Sequence, residues 1–188
     1  AVSSYDPKYM LAYYYPFDVG DISGGKLANW YTGYQIFDAS LCNGPTIYTL
    51  TTKVGSGALF FTATSSQYVY IPYFKSTVNG LTFSFWYYAI STGSWSRIFD
   101  FGNGQNIDNI LCSPNANGNG NFRFAINYGS TNNNYYITDI NYNDSTARHI
   151  TWTLTYAAPG SATSTSTIYV NGTYKTTFSN TYYPNINI

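Results

Sequence analysis

Ser166-Thr167-Ile168-Tyr169-Val170-Asn171-Gly172-Thr173-Tyr174-Lys175-Thr176-Thr177-Phe178 is the stretch from which the fold can be read. Asn171-Gly172 supplies the two positive-φ positions of a type I′ turn, so the β-branched and aromatic runs on either side pair as a hairpin. Three further runs alternate with period two, as half-buried strands do. Between 81 and 90, Leu81, Phe83, Phe85 and Tyr87 share one face and Thr82, Ser84, Trp86 and Tyr88 the other. Phe122, Phe124, Ile126 and Tyr128 oppose Asn121, Arg123, Ala125 and Asn127, and Ile150, Trp152, Leu154 and Tyr156 oppose His149, Thr151, Thr153 and Thr155. These three runs are expected near the middle of their sheets. Further strands are predicted at 10–17, 58–63, 68–71, 96–101, 108–111 and 135–137, and Asn/Gly-rich loops at 114–120 and 129–134 are expected on the surface.

Composition agrees with an all-β chain. Among 188 residues aromatics reach 20%, and the 22 Tyr outnumber every other apolar type, so the core must draw heavily on rings. All eight acidic residues are Asp and there is no Glu, which together with few Lys and one Met removes most strong helix formers. The length suits one β-sandwich spanning 1–188, and no linker or internal repeat divides it. Net charge is zero and the eight basic residues are scattered, which argues against a nucleic-acid partner.

No apolar stretch approaches the ~20 residues that a bilayer-spanning helix needs. Ala1-Val2-Ser3-Ser4 carries no secretion signal and reads either as a mature N-terminus or as an arbitrary boundary. A polar surface of Ser, Thr, Asn and Gly suits an extracellular, cell-wall or virion-surface setting. Cys42 and Cys112 form either one bridge, contributing about 4 kcal/mol by closing a long loop, or a pair of buried thiols. With His149 the sole histidine, they do not make a structural zinc site.

With the strands placed, several segments resemble the LamG-like jelly rolls of the laminin G and concanavalin A-like group, in the order that family uses. They are Leu11-Ala12-Tyr13-Tyr14-Tyr15-Pro16-Phe17-Asp18, Gly57-Ala58-Leu59-Phe60-Phe61, Gln67-Tyr68-Val69-Tyr70-Ile71 and Gly80-Leu81-Thr82-Phe83-Ser84-Phe85-Trp86. The run 95–104, Arg148-His149-Ile150-Thr151-Trp152 and Ile168-Tyr169-Val170-Asn171-Gly172-Thr173 follow. The resemblance implies an antiparallel two-sheet jelly-roll sandwich. Members usually end in a further strand that pairs beside the first, and its pattern is absent after residue 182. The resemblance therefore implies either a portion of a longer protein or a strand supplied by a neighbour through β-augmentation.

Some relatives are glycosidases, but glycoside hydrolysis needs two facing carboxylates, and without Glu or two Asp alternating on one strand that signature cannot form. The Gly-x-Ser-x-Gly elbow is missing too, and His149 is expected on an outer strand face, satisfied by water or a neighbouring Thr. The chain is thus expected to be non-enzymatic. Relatives also bind calcium through loop carboxylates, and Asp18, Asp21, Asp100 and Asp108 are the obvious donors, although Asp18 equally suits a cap on the turn over 20–25. Sugar faces stack on exposed aromatics, which singles out Trp86 and Trp95 first and then Trp30, Tyr31 and Tyr88. Asn143-Asp144-Ser145 and Asn171-Gly172-Thr173 match the N-glycosylation sequon. The leading expectation is a surface adhesion or carbohydrate-recognition module with glycan or protein partners. The alternative is a structural unit of a fibre, wall or virion assembled through sheet edges.

Overall fold

A computed structural model describes residues 13–30, 38–50, 52–72, 80–102, 107–128, 131–139, 141–156 and 163–181. The chain divides into two compact units, residues 1–73 and 74–188. In the first, β1 (Ile22–Ser23), β2 (Lys26–Leu27) and β3 (Ala39–Cys42) form a short antiparallel meander. A separate ladder pairs β4 (Thr46–Tyr48) with β5 (Ala58–Phe60), and β6 (Tyr68–Tyr70) returns beside β3. Leu27 and Ala39, facing each other across β2 and β3, are fully buried.

The strand expected over 10–17 does not form within the described residues 13–17. The backbone there is committed elsewhere. Tyr14 donates its N–H to the Asn29 side chain and accepts the Trp30 N–H, and Phe17 adopts φ 61° to turn into the Asp18–Asp21 loop. Residues 10–12 of that expectation lie outside the described ones.

The second unit holds the core. Its strands are β7 (Leu81–Tyr87), β8 (Phe99–Phe101), β9 (Asn109–Ala116), β10 (Asn121–Tyr128), β11 (Thr131–Ile137), β12 (Arg148–Tyr156), β13 (Ser164–Val170) and β14 (Thr173–Asn180). They make two four-stranded antiparallel sheets, ordered β11-β10-β9-β8 and β14-β13-β12-β7. The alternation of small polar and large apolar residues fixes which face of the second sheet is buried. Its inward rings meet those of the other sheet: Phe83 stacks on Phe99 at 4.5 Å, and Trp152 takes Phe124 edge-on at 5.2 Å. Trp152 is fully buried and donates its indole N–H to Ser166 Oγ at 3.0 Å, so the one polar atom of the largest core side chain is satisfied. Tyr135 stacks on Phe178 at 4.6 Å and joins β11 to β14 along one flank.

Several details depart from expectation. β10 and β12 are interior strands, but β7 is the last described strand of its sheet. Residues 114–116, expected in a surface loop, complete β9 and are buried, and only the turn at 117–119 is exposed. Asn115 can be buried because its amide donates to Thr92 O and accepts from Gly120 N. Residues 131–134 likewise belong to β11, with Asn132 opposite Asn127 and Asn134 opposite Ala125. β8 starts at Phe99 rather than 96 because Trp95 takes φ 64° and Ser96 folds back onto Gly93 O. Of the two alternatives for the cysteines, the structure has both as free thiols, Cys112 buried and Cys42 half-buried. Cys112 sits fully buried opposite Phe99 and Phe124 on the middle of β9, where burial pushes its thiol pKa well up.

Candidate binding face of the second unit

The outward side of the sheet β14-β13-β12-β7 carries Trp86 on β7, 46% exposed. The register sets His149 of β12 directly beside it, and the two rings lie 5.3 Å apart, tilted by 52°. His149 Nε2 lies 3.0 Å from Ser84 Oγ, the next outward residue on β7, so the neighbouring hydroxyl that partners it is a serine where a threonine was expected. Below this pair the hydroxyls come in rows. Ser84 faces Thr151, and Thr82 faces Thr153, Thr167 and Thr177 in one line across all four strands. Thr155 faces Thr165 and then Ser179.

The line of four depends on a bulge. β13 and β14 pair Tyr169 with Tyr174, but Ile168 with Thr176, so Lys175 is the extra residue and the outward set shifts to Thr177. Thr167 and Thr177 then share a 3.1 Å hydroxyl hydrogen bond. The bulged Lys175 pairs with Asp139. A face so made is neutral, ringed by Trp86, Tyr88 and Tyr174, all exposed.

Trp95 lies elsewhere. Its N–H donates to Asn115 O and its ring covers the Arg123 guanidinium at 5.4 Å. Arg123 projects from β10 on the side opposite Phe122 and Phe124, so Trp95 and Trp86 serve opposite faces of the sandwich and do not form one site. Arg123 is nearly buried, its pKa lowered by desolvation, and it fixes itself by donating twice to Asn134 Oδ1 at 3.0 and 2.7 Å. A positive φ at a bulky residue is a strained conformation that its surroundings must hold, here through Arg97 donating to Trp95 O.

The remaining expected residues are scattered. Trp30 is exposed in the first unit with its indole N–H on Asp21 Oδ1 at 2.9 Å, and Tyr31 lies outside the described residues. The Asp18 carboxylate accepts from the backbone N–H and hydroxyl of Ser56, while its own N–H donates to Asp21 Oδ2 and its carbonyl accepts from Asp21 N at 3.1 Å, so its backbone closes the turn entered at Gly20 and its side chain ties a distant segment. A cleft of about 420 Å³ beside Asp21 is also lined by Asp38 and Lys26, and both carboxylates already accept protein N–H groups. Asp100, in the second unit, pairs with Arg97 at 3.4 Å and accepts from Asn109, while Asp108 occupies a positive-φ turn before β9. Among the described residues no group of three or more His, Cys or Asp is placed to hold a metal ion.

The two sequons differ. Asn171 is exposed in the hairpin turn, its carboxamide oxygen accepting from the His149 backbone N–H and its own backbone N–H donating to His149 O. Asn143 is half-buried, its oxygen accepting from Thr92 Oγ1 at 2.8 Å. Among the described residues no helix is long and apolar enough to cross a membrane.

What the sequence concealed is the pairing of Ser84 with His149 and the alignment of the threonines. The signal was present in the alternate threonines of Thr151-Trp152-Thr153-Leu154-Thr155 and Thr165-Ser166-Thr167, but it needs the strand register to become a surface.

Comparison with known proteins gives one finding. Residues 63–187 match the family model Laminin_G_3, described as the concanavalin A-like lectin/glucanases superfamily. Searches of curated proteins and of solved structures found no match.

Proposed function

The chain belongs to the concanavalin A-like lectin/glucanases superfamily, and from that premise we propose that it is a non-enzymatic carbohydrate-recognition module displayed outside the cell or on a virion. The observation that carries this reading is Trp86, nearly half exposed near the C-terminal end of β7, with His149 and Ser84 beside it. An indole left open on a neutral hydroxyl-rich face offers what a sugar needs: an apolar plane for the ring C–H groups and flanking donors and acceptors for the hydroxyls. The Ser84–His149 hydrogen bond does not by itself argue for hydrolysis, since it sits on an open sheet face. The lack of Glu in the sequence and the pairing of Asp144 with Arg148 and of Asp139 with Lys175 support a binding role over catalysis.

A glycan array probed with the wild type, Trp86→Ala and Trp95→Ala tests the reading. Binding by the wild type that is lost in Trp86→Ala and kept in Trp95→Ala is expected. Equal binding by wild type and Trp86→Ala would overturn it.

A second reading, a structural subunit assembled through sheet edges, is favoured by β11 and β14. Each is the last described strand of its sheet, β11 carries no charged residue, and the one lysine of β14 is held by Asp139, so the usual charge protection of an edge is weak. Light scattering after size exclusion distinguishes the two readings, concentration-dependent oligomers favouring assembly.

A further inference from the structure

The face beside Trp86 is longer than one sugar requires. We infer that it holds a linear, uncharged polysaccharide chain along the β7–β12 seam, with one sugar stacked on Trp86 and the following ones over Ser84/Thr151 and Thr82/Thr153. This inference rests on the carbohydrate-recognition reading above and gives the class of ligand.

Three observations carry it. First, the hydroxyl pairs are set by register: Trp86 opposite His149, Ser84 opposite Thr151, Thr82 opposite Thr153. Two residues per step at about 3.4 Å each space these pairs by about 7 Å, and from His149 to Thr155 the track runs about 20 Å, room for several sugars in an extended chain. Secondly, the track is neutral. None of its side chains is Asp, Lys or Arg, which suits a polyol and offers nothing to a sulfated or uronic-acid polymer. Thirdly, β-sheets as a rule are twisted. Neighbouring strands rotate by roughly 20–25°, so four strands do not make a flat plane for a crystalline surface, whereas a single chain lying along the strands follows them. Thr167 and Thr177, bonded to each other, close the far side of the track.

The test uses cello-, xylo-, laminari- and chito-oligosaccharides of increasing length, titrated calorimetrically into the wild type, Trp86→Ala and the double variant Thr82→Val/Thr153→Val. Valine keeps the shape and strand preference of threonine while removing the hydroxyls. For the series that binds, affinity should rise about three- to tenfold for each added sugar that gains a hydrogen bond, then level off once the track is full. Thr82→Val/Thr153→Val should bind the shortest sugar as the wild type does and lose the rise with length. Trp86→Ala should lose all lengths. Affinity independent of length, an unchanged rise in the valine variant, or no binding of any series would overturn the inference. In the first two cases, loss of binding in Trp86→Ala would still leave the carbohydrate-recognition reading standing.

Discussion

Replacing Trp152 tests whether the aromatic centre of the sandwich is the main source of its stability. Its side chain is wholly buried against Phe83, Phe99 and Phe124. Burying an indole of roughly 200 Å² at ~25 cal/mol per Å² contributes about 5 kcal/mol. Trp152→Ala should therefore cost about 3–5 kcal/mol, the range seen when large aromatic side chains are cut back to alanine. Trp152→Phe keeps most of the ring contacts and loses the hydrogen bond to Ser166. That hydroxyl still accepts from Asn180 Nδ2 at 2.9 Å, so the phenylalanine variant should cost only about 1–2 kcal/mol. Urea unfolding followed by far-ultraviolet circular dichroism reads both. With a slope of about 2 kcal/mol per molar, the midpoint should fall by about 2 M for alanine and by about 0.5–1 M for phenylalanine. An alanine variant within about 0.3 M of the wild type, or a phenylalanine variant as damaged as the alanine one, would refute this account of the core.

Other perturbations bear on charge, thiols and modification. Arg148 makes paired hydrogen bonds to Asp144 and holds its carboxyl pKa well below the ordinary 3.8. Because the folded value is the lower one, the stabilisation is complete above the ordinary carboxylate range and is lost as pH falls through the folded value. Asp144→Asn should flatten the acid limb of a stability-versus-pH curve, and an unchanged limb would exclude the pair as its source. A thiol reagent should label Cys42 in the folded protein and reach buried Cys112 only after denaturation; equal labelling rates would contradict the burial of Cys112. Expressed through a eukaryotic secretory route, the chain should carry glycan at exposed Asn171 and not at half-buried Asn143, which peptide mapping checks, and occupancy at Asn143 alone would reverse the assignment.

The hairpin at Asn171-Gly172 and the strands β7, β10 and β12 were legible because local rules decide them: a two-residue turn with both positive-φ positions filled, and alternation against a buried face. The Asn-rich stretches 114–120 and 129–134 read as loops by composition, yet Asn115 is buried in β9 and residues 131–134 lie in β11, because strand pairing decides their place and composition cannot report it. Trp86 was legible as an outward aromatic, since Phe83 and Phe85 face the other way. The rows around it were not. Thr177 meets Thr167 only because Lys175 is bulged out, and a one-residue slip would place Thr176 there instead. The calcium donors follow from a family resemblance and the possible bridge from the cysteine count, and neither carries geometry. Asp18 turned out to tie Ser56, Asp100 to tie Arg97 and Asn109, and Cys112 to pack as a small apolar residue.

The most direct test of the central claim, sugar recognition at Trp86, is an NMR titration that follows the indole N–H signals of the four tryptophans with the best array ligand. With Trp86 assigned by Trp86→Phe, its signal should shift and saturate while that of buried Trp152 stays in place. Saturable shifts confined to Trp95 or Trp30, with Trp86 unmoved, would contradict the account.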